Sequence, residues 1–169
     1  MNIFNYGGGI RLKKEKFCQN DKMFELVKVE EDLCWLPDKT VCKEFIKEKT
    51  LHIPKQKPVI EQLAKKVIKP KITSHKVIKT KRKQSKVIIQ GKIIEKVFYV
   101  ADRPEQTVHA AKFTFPFCNF INLGKKVSKI KDVKVNVEDV VVQLVKKKEI
   151  RQCILLFICA IPHEKYRYH

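Results

Sequence analysis

The cysteines, histidines and lysines of this chain are the residues whose chemistry most needs an explanation. Six cysteines stand at 18, 34, 42, 118, 153 and 159, and five histidines at 52, 75, 109, 163 and 169. No two cysteines are spaced Cys-x-x-Cys, and no histidine lies at finger-like spacing from a cysteine, so the sequence predicts no metal site. Cys118 sits in Phe115-Pro-Phe-Cys-Asn-Phe120, nine residues after His109. A Cys–His nucleophile also needs hydrogen-bond reach and an oxyanion hole, and no Gly-rich turn flanks Cys118 to supply one. Packing among its phenylalanines is the expected role of this thiol. The chain also lacks a phosphate-binding glycine loop, a His-Glu-x-x-His pair and a serine nucleophile elbow. The expectation is therefore no cofactor, no catalytic residue and no enzyme.

Two uses of the thiols stay open. All six can be reduced residues of a protein made in a reducing cytoplasm. Alternatively Cys18, Cys34, Cys42, Cys118, Cys153 and Cys159 are candidates for cross-links formed later in an oxidising setting, with Cys18 foremost for a bridge between copies. Cys153 and Cys159 share a strand face with Leu155 and Phe157. They lie about 20 Å apart along an extended chain, too far to bond each other.

The lysines give the loudest signal. Against 18 acidic residues stand 37 basic ones, a formal charge of +19, and all but five of the 37 are lysine. Lysine-dominated charge favours diffuse attraction to anionic surfaces over bidentate recognition. From Gln62 to Ile94 there are eleven basic residues and no acid. The candidate patch for a polyanion or a partner is Lys65, Lys66, Lys69, Lys71, Lys76, Lys79, Lys81, Arg82, Lys83 and Lys86. A nucleic-acid platform would add aromatics for stacking, and none occurs between Phe45 and Phe98. The favoured reading is that these lysines form the solvated face of a hairpin, guarding it against edge-to-edge pairing.

The elements that must position these residues are strands. Ile and Val number 18 each against 10 Leu, a β-branched enrichment. Phe24–Glu30 reads as a first strand, with 40–51 as its antiparallel partner or a helix. Pro58 opens the best short-helix candidate, through Lys66, with Ile60, Leu63, Ala64 and Val67 at helical spacing. Strands over 71–80 and 85–101 form a hairpin around Lys81–Gln84. In the second of them Val87, Ile89, Ile93, Val97 and Tyr99 share a parity, and a bulge is expected at Gly91. A strand over 106–115 breaks at Pro116. Strands around Val133–Val137, 140–147 and 150–161 complete the set. The fold class is all-β: an antiparallel β-sandwich or flattened barrel with one short helix.

Gly7–Gly9 marks residues 1–20 as a flexible arm, a possible connector between subunits, with Ile3, Phe4, Ile10 and Leu12 as anchors. The β domain covers 21–162 and a short tail 163–169. The longest apolar run, Cys153–Ile161, is nine residues, too short to cross a bilayer as a helix. Residues 1–9 lack the pattern of a secretory signal, so synthesis in the cytoplasm is expected.

Several segments carry a family resemblance. Val27-Lys-Val-Glu30 followed by Leu51-His-Ile-Pro-Lys-Gln-Lys-Pro-Val-Ile-Glu-Gln-Leu63 resembles the opening of the SPOCS domain of endospore-forming, mostly clostridial, bacteria. It continues through Ile72-Thr-Ser-His-Lys-Val-Ile78, Val87-Ile-Ile-Gln-Gly91, Phe98-Tyr-Val-Ala-Asp102 and Gln106-Thr-Val-His109. Phe115-Pro-Phe117, Phe120-Ile121 and Val135-Asn-Val-Glu-Asp-Val140 close it, so that residues 24–161 are covered. The resemblance implies a non-enzymatic β domain that builds or attaches spore-surface layers, and it offers no catalytic residues. Coat-assembly adaptors of the family carry a LysM module. The residues after Ile161 do not resemble one, so that attachment is not expected, and the arm at 1–20 is outside the family pattern.

The residues alone give a basic all-β domain; the resemblance adds the expectation of a structural protein of the endospore surface (coat, exosporium or appendage). It would be made in the mother-cell cytoplasm and self-assemble by strand addition and disulfides. Its partners would be itself, other spore-surface proteins and anionic polymers, with no membrane span. The alternative is a basic polyanion- or nucleic-acid-binding module or a coat-assembly adaptor.

Overall fold

The computed structural model describes residues 10–19, 22–31, 33, 36–125 and 127–163. They form eight strands: β1 (Ile10–Gln19), β2 (Lys22–Glu31), β3 (Val41–His52), β4 (Ile60–Lys79), β5 (Ser85–Ala101), β6 (Val108–Gly124), β7 (Ile130–Lys146) and β8 (Glu149–Pro162). A five-stranded sheet runs β1-β2-β4-β5-β6 and a three-stranded sheet β3-β8-β7. All pairings are antiparallel except β2 with β4. The sheets pack as an all-β sandwich, in agreement with the sequence.

Alternation of β-branched side chains fixes which face turns inward. On β5 every second residue from Ser85 to Ala101 is buried, Gly91 and Glu95 among them. From β8, Ile150, Ile154, Leu156 and Ile158 meet Leu26, Ile68, Ile93, Val97 and Phe115 in one core. Each such side chain contributes roughly 1.5–3 kcal/mol when fully buried.

Several local expectations fail for physical reasons. The segment 58–66 is not a helix: from Ile60 on it is the start of β4, whose inward residues are Ile60, Leu63, Lys66, Ile68 and Pro70. Register shifts at Ile60/Gln62 and Leu63/Lys65 add a residue each, so the buried spacing runs three, three, two, two. Two bulges thus imitate a helical period. Residues 40–51 do form a strand, but β3 pairs with β8 in the other sheet rather than with Phe24–Glu30. Pro116 does not break β6, which continues to Gly124. β6 is an edge strand, where a missing N–H on the open side disturbs no ladder. The two segments 133–137 and 140–147 are one strand, β7, with an irregularity between Val137 and Asp139.

The expected bulge at Gly91 lies across the ladder instead, on β4 between Ile72 and Ser74, while β5–β6 pairing passes Gly91 unbroken. Glycine is needed there for closeness. A Cβ would strike the ring of Phe117, its β6 partner, and come within 2.7 Å of the Lys71 carbonyl oxygen. Residues 10–19, expected as part of a flexible arm, form an antiparallel hairpin with β2 at the sheet edge, so the ordered body starts earlier than the sequence suggested. Ile3 and Phe4 lie outside the described residues.

Candidate functional site

Register carries the lysines of β4 to two different destinations. Lys65, Lys69, Lys71 and Lys76 share the outer face of the five-stranded sheet, because their β5 partners Phe98, Ile94, Lys92 and Ile88 alternate with the buried set. The same face receives Lys86, Lys92 and Lys96 from β5, Lys112 from β6, and Lys14 and Lys16 from β1. Its acid is Glu25, which pairs with Lys65 at 3.1 Å. The hydrogen bond from Lys65 holds the Glu25 carboxyl below the usual range. Glu31, at the far end of β2, is turned to Lys134 of β7 at 3.2 Å.

Lys66 does not belong to this patch, contrary to the sequence expectation. It is 2% exposed and points between the sheets. Its ammonium donates to Glu95 Oε2 at 3.0 Å and to Gln152 Oε1, while Gln152 Nε2 donates to both Glu95 oxygens at 3.0 Å. Burial draws the Lys66 pKa down, with the Glu95 charge opposing it. Every polar atom of the triad is satisfied, and the triad joins β4 and β5 of one sheet to β8 of the other. One signal did mark it: Glu95 is the first acid after the basic run, at the inward parity of Ile93 and Val97. Lys28, also buried, donates to the Glu138 carbonyl at 2.8 Å and pairs with Glu15 at 2.9 Å.

The hairpin tip carries the rest of the run. Lys79, Lys81, Arg82 and Lys83 are all exposed there, and Lys83 takes φ 58° in the turn. Aromatics missing from the basic segment are supplied by the end of β5 and by the neighbouring strand β6. Lys96 lies 4.8 Å from the Phe98 ring centroid, and Phe120, 44% exposed, has Lys86 at 4.5 Å and Lys43 at 4.3 Å. Sequence spacing could not reveal this, because β6 reaches the lysines only through sheet register.

The outer face of the three-stranded sheet has the opposite character. Glu44, Ile46 and Glu48 of β3 stand opposite Phe157, Leu155 and Cys153 of β8, with Asp139 and Val141 across from Leu155 and Cys153 on β7. Ile46 is 65% and Val141 67% exposed, and Glu44, Glu48 and Asp139 are exposed beside them. Arg151 is the exposed basic residue of β8 on this side.

Cys153 and Cys159 do share this outer face with Leu155 and Phe157. Cys159 is the direct partner of Cys42, Cα to Cα 4.1 Å, their sulfurs in bonding contact as a cross-strand disulfide pair. Two of the six candidate cross-linking thiols are therefore placed to bond within the domain. Cys118 is a free thiol and exposed on β6, so its expected role in packing is not met, and Cys153 is free and half-buried. Cys34 and the side chains of Cys18 and Ile10 lie outside the described residues, and Leu12 is exposed on β1. Among the described residues no group of three or more His, Cys, Asp or Glu could hold a metal ion, and no helix is long and apolar enough to cross a membrane.

No curated protein and no solved structure matches this chain. One family model does, described as SipL, SPOCS domain, over residues 59–145. That stretch begins at the approach to β4 and ends within β7, so it takes in three strands of the basic sheet and the first half of the β7–β8 pair. Covering half of the sequence, the match shows that this chain belongs to the sporulation-associated SPOCS-domain family.

Proposed function

We propose that the chain is a non-enzymatic structural component of the endospore surface, made in the mother cell and built by association of copies into a coat, exosporium or appendage. The observation that carries this reading is that Ile46 and Val141, both exposed, flank Leu155 and Cys153 on the outer face of the three-stranded sheet. Contiguous exposed apolar surface marks protein–protein contact. Family membership supplies the sporulation setting. Exposed Cys118 is the described thiol best placed to add covalent durability between copies once the surroundings are oxidising. Among the described residues the terminal strands of the two sheets are β1, β6, β3 and β7, and strand addition would take place at these edges. Other spore-surface proteins and anionic polymers are the further partners.

The test is electron microscopy of purified, nucleic-acid-free protein in moderate salt, with and without reductant. Ordered filaments or sheets, more durable without reductant, are expected. Uniform small particles in both conditions would count against self-assembly and favour a coat-assembly adaptor. A second reading, a polyanion- or nucleic-acid-binding module, draws on the basic face with Phe98 and Phe120 among its lysines. It predicts binding to a polyanion that falls steeply with salt.

A further inference from the structure

The two outer faces carry matching triads of opposite charge. On β3 the outward residues Glu44, Ile46 and Glu48 follow one another at every second position, and on β5 so do Lys92, Ile94 and Lys96. Strand geometry sets the outer members of each triad about 13 Å apart, with an isoleucine midway. Among the described residues neither acid of β3 is in a salt bridge, and neither lysine of the β5 triad is in one. Around the acidic triad lie Leu155 and Val141. Around the basic one lie Lys69, Lys71 and Lys112.

We propose that these faces are the two halves of one interface between copies: the acidic triad of β3 seats on the lysine triad of β5 in the next copy. This inference rests on the reading of the chain as a self-assembling component and specifies its surface. Burial of Ile46 against Ile94 supplies non-directional attraction, and the four flanking charges set register and direction. Because the two faces lie on opposite sides of the sandwich, each copy still offers one free face of each kind. The contact is therefore heterologous and does not close on itself, which produces an open stack. The like-charged pairing of two basic faces or two acidic faces is disfavoured, so a back-to-back dimer does not compete.

The experiment uses two full-length variants, Glu44→Lys/Glu48→Lys and Lys92→Glu/Lys96→Glu, compared with wild type by sedimentation and electron microscopy in low salt. Each variant alone presents two triads of like sign at the proposed contact and is expected to remain small while the wild type sediments as long assemblies. An equimolar mixture of the two variants restores unlike faces and is expected to assemble, which also excludes misfolding as the reason each fails alone. Variants that assemble as the wild type does would overturn the proposed interface while leaving self-assembly standing. A mixture that stays small would overturn the pairing of these two faces. A wild type that fails to assemble would overturn both this inference and the reading on which it rests.

Discussion

The outer faces of the two sheets differ in sign although both expose isoleucine, valine or phenylalanine. On the five-stranded sheet the charge is almost wholly lysine, with Glu25 tied to Lys65. On the three-stranded sheet Glu44, Glu48 and Asp139 dominate. The formal +19 is thus an average over two unlike surfaces. The difference teaches that charge here is sorted by sheet, not by position along the chain. β3 itself reads as a mixed segment, Lys43-Glu-Phe-Ile-Lys-Glu-Lys49, yet its parity sends the acids outward. Its lysines go to the rim, where Lys43 meets Asn119 and the Phe120 carbonyl of β6. Basic β4–β6 lie within the family match, whereas β3 and β8, which build most of the acidic face, lie outside it.

The largest way to break this contrast is to unfasten the two sheets. Glu95→Ala leaves the Lys66 ammonium buried beside Gln152, and breaking such a pair costs about 3–5 kcal/mol. Denaturant unfolding is expected to show that loss, whereas the apolar triple variant Lys66→Met/Glu95→Leu/Gln152→Leu, which leaves no buried polar group unpaired, is expected to recover most of it. Equal losses in the single and triple variants would mean that shape, not charge pairing, dominates at this site.

A smaller effect concerns the acidic face. Cys42→Ser removes the link between β3 and β8, and closing so long a loop contributes about 2–4 kcal/mol. The variant is expected to unfold at lower denaturant under oxidising conditions and to match the wild type in reductant. A difference that persists in reductant would assign the loss to packing at Cys42.

The smallest effect sharpens the basic side. Hydrogen bonds from Lys28 and Lys13 hold the Glu15 carboxyl below its usual range. That interaction therefore stabilises β1, the carrier of Lys14 and Lys16, above the ordinary carboxylate range. It is lost as the pH falls through the folded-state pKa. Glu15→Gln is expected to weaken hydrogen-exchange protection of β1 at pH 6, by a difference that shrinks as the pH is lowered below the ordinary carboxylate range. A difference that stays constant as the pH falls would contradict the ionic account.

The strand content, the hairpin at Lys81–Gln84 and the inward parity of β5 were legible because Val87, Ile89, Ile93, Val97 and Tyr99 keep one parity across Gly91 and Glu95. The start of β4 was not, since its two bulges shift the apolar spacing to three. Pairing partners were legible only between neighbours: nothing local to residues 41–52 distinguishes β2 from β8 as a partner. The same limit hid the candidate surface. Lys66 and Lys69 are indistinguishable as letters, and only the register with Val97 and Ile94 sends one to the core and the other to the surface. Phe120 reached the lysines by a similar route, across the β5–β6 ladder. Glu95, an acid at apolar parity, carried a usable signal of a buried partner that the sequence reading passed over.

Sedimentation velocity of the wild-type chain over a wide concentration range, at low and at high salt, tests the central claim most directly. Unlike faces on opposite sides of one molecule predict species that grow past the dimer without a plateau at low salt and shrink as salt screens the charges. A monomer at every concentration, or growth that stops at a closed dimer, would contradict it.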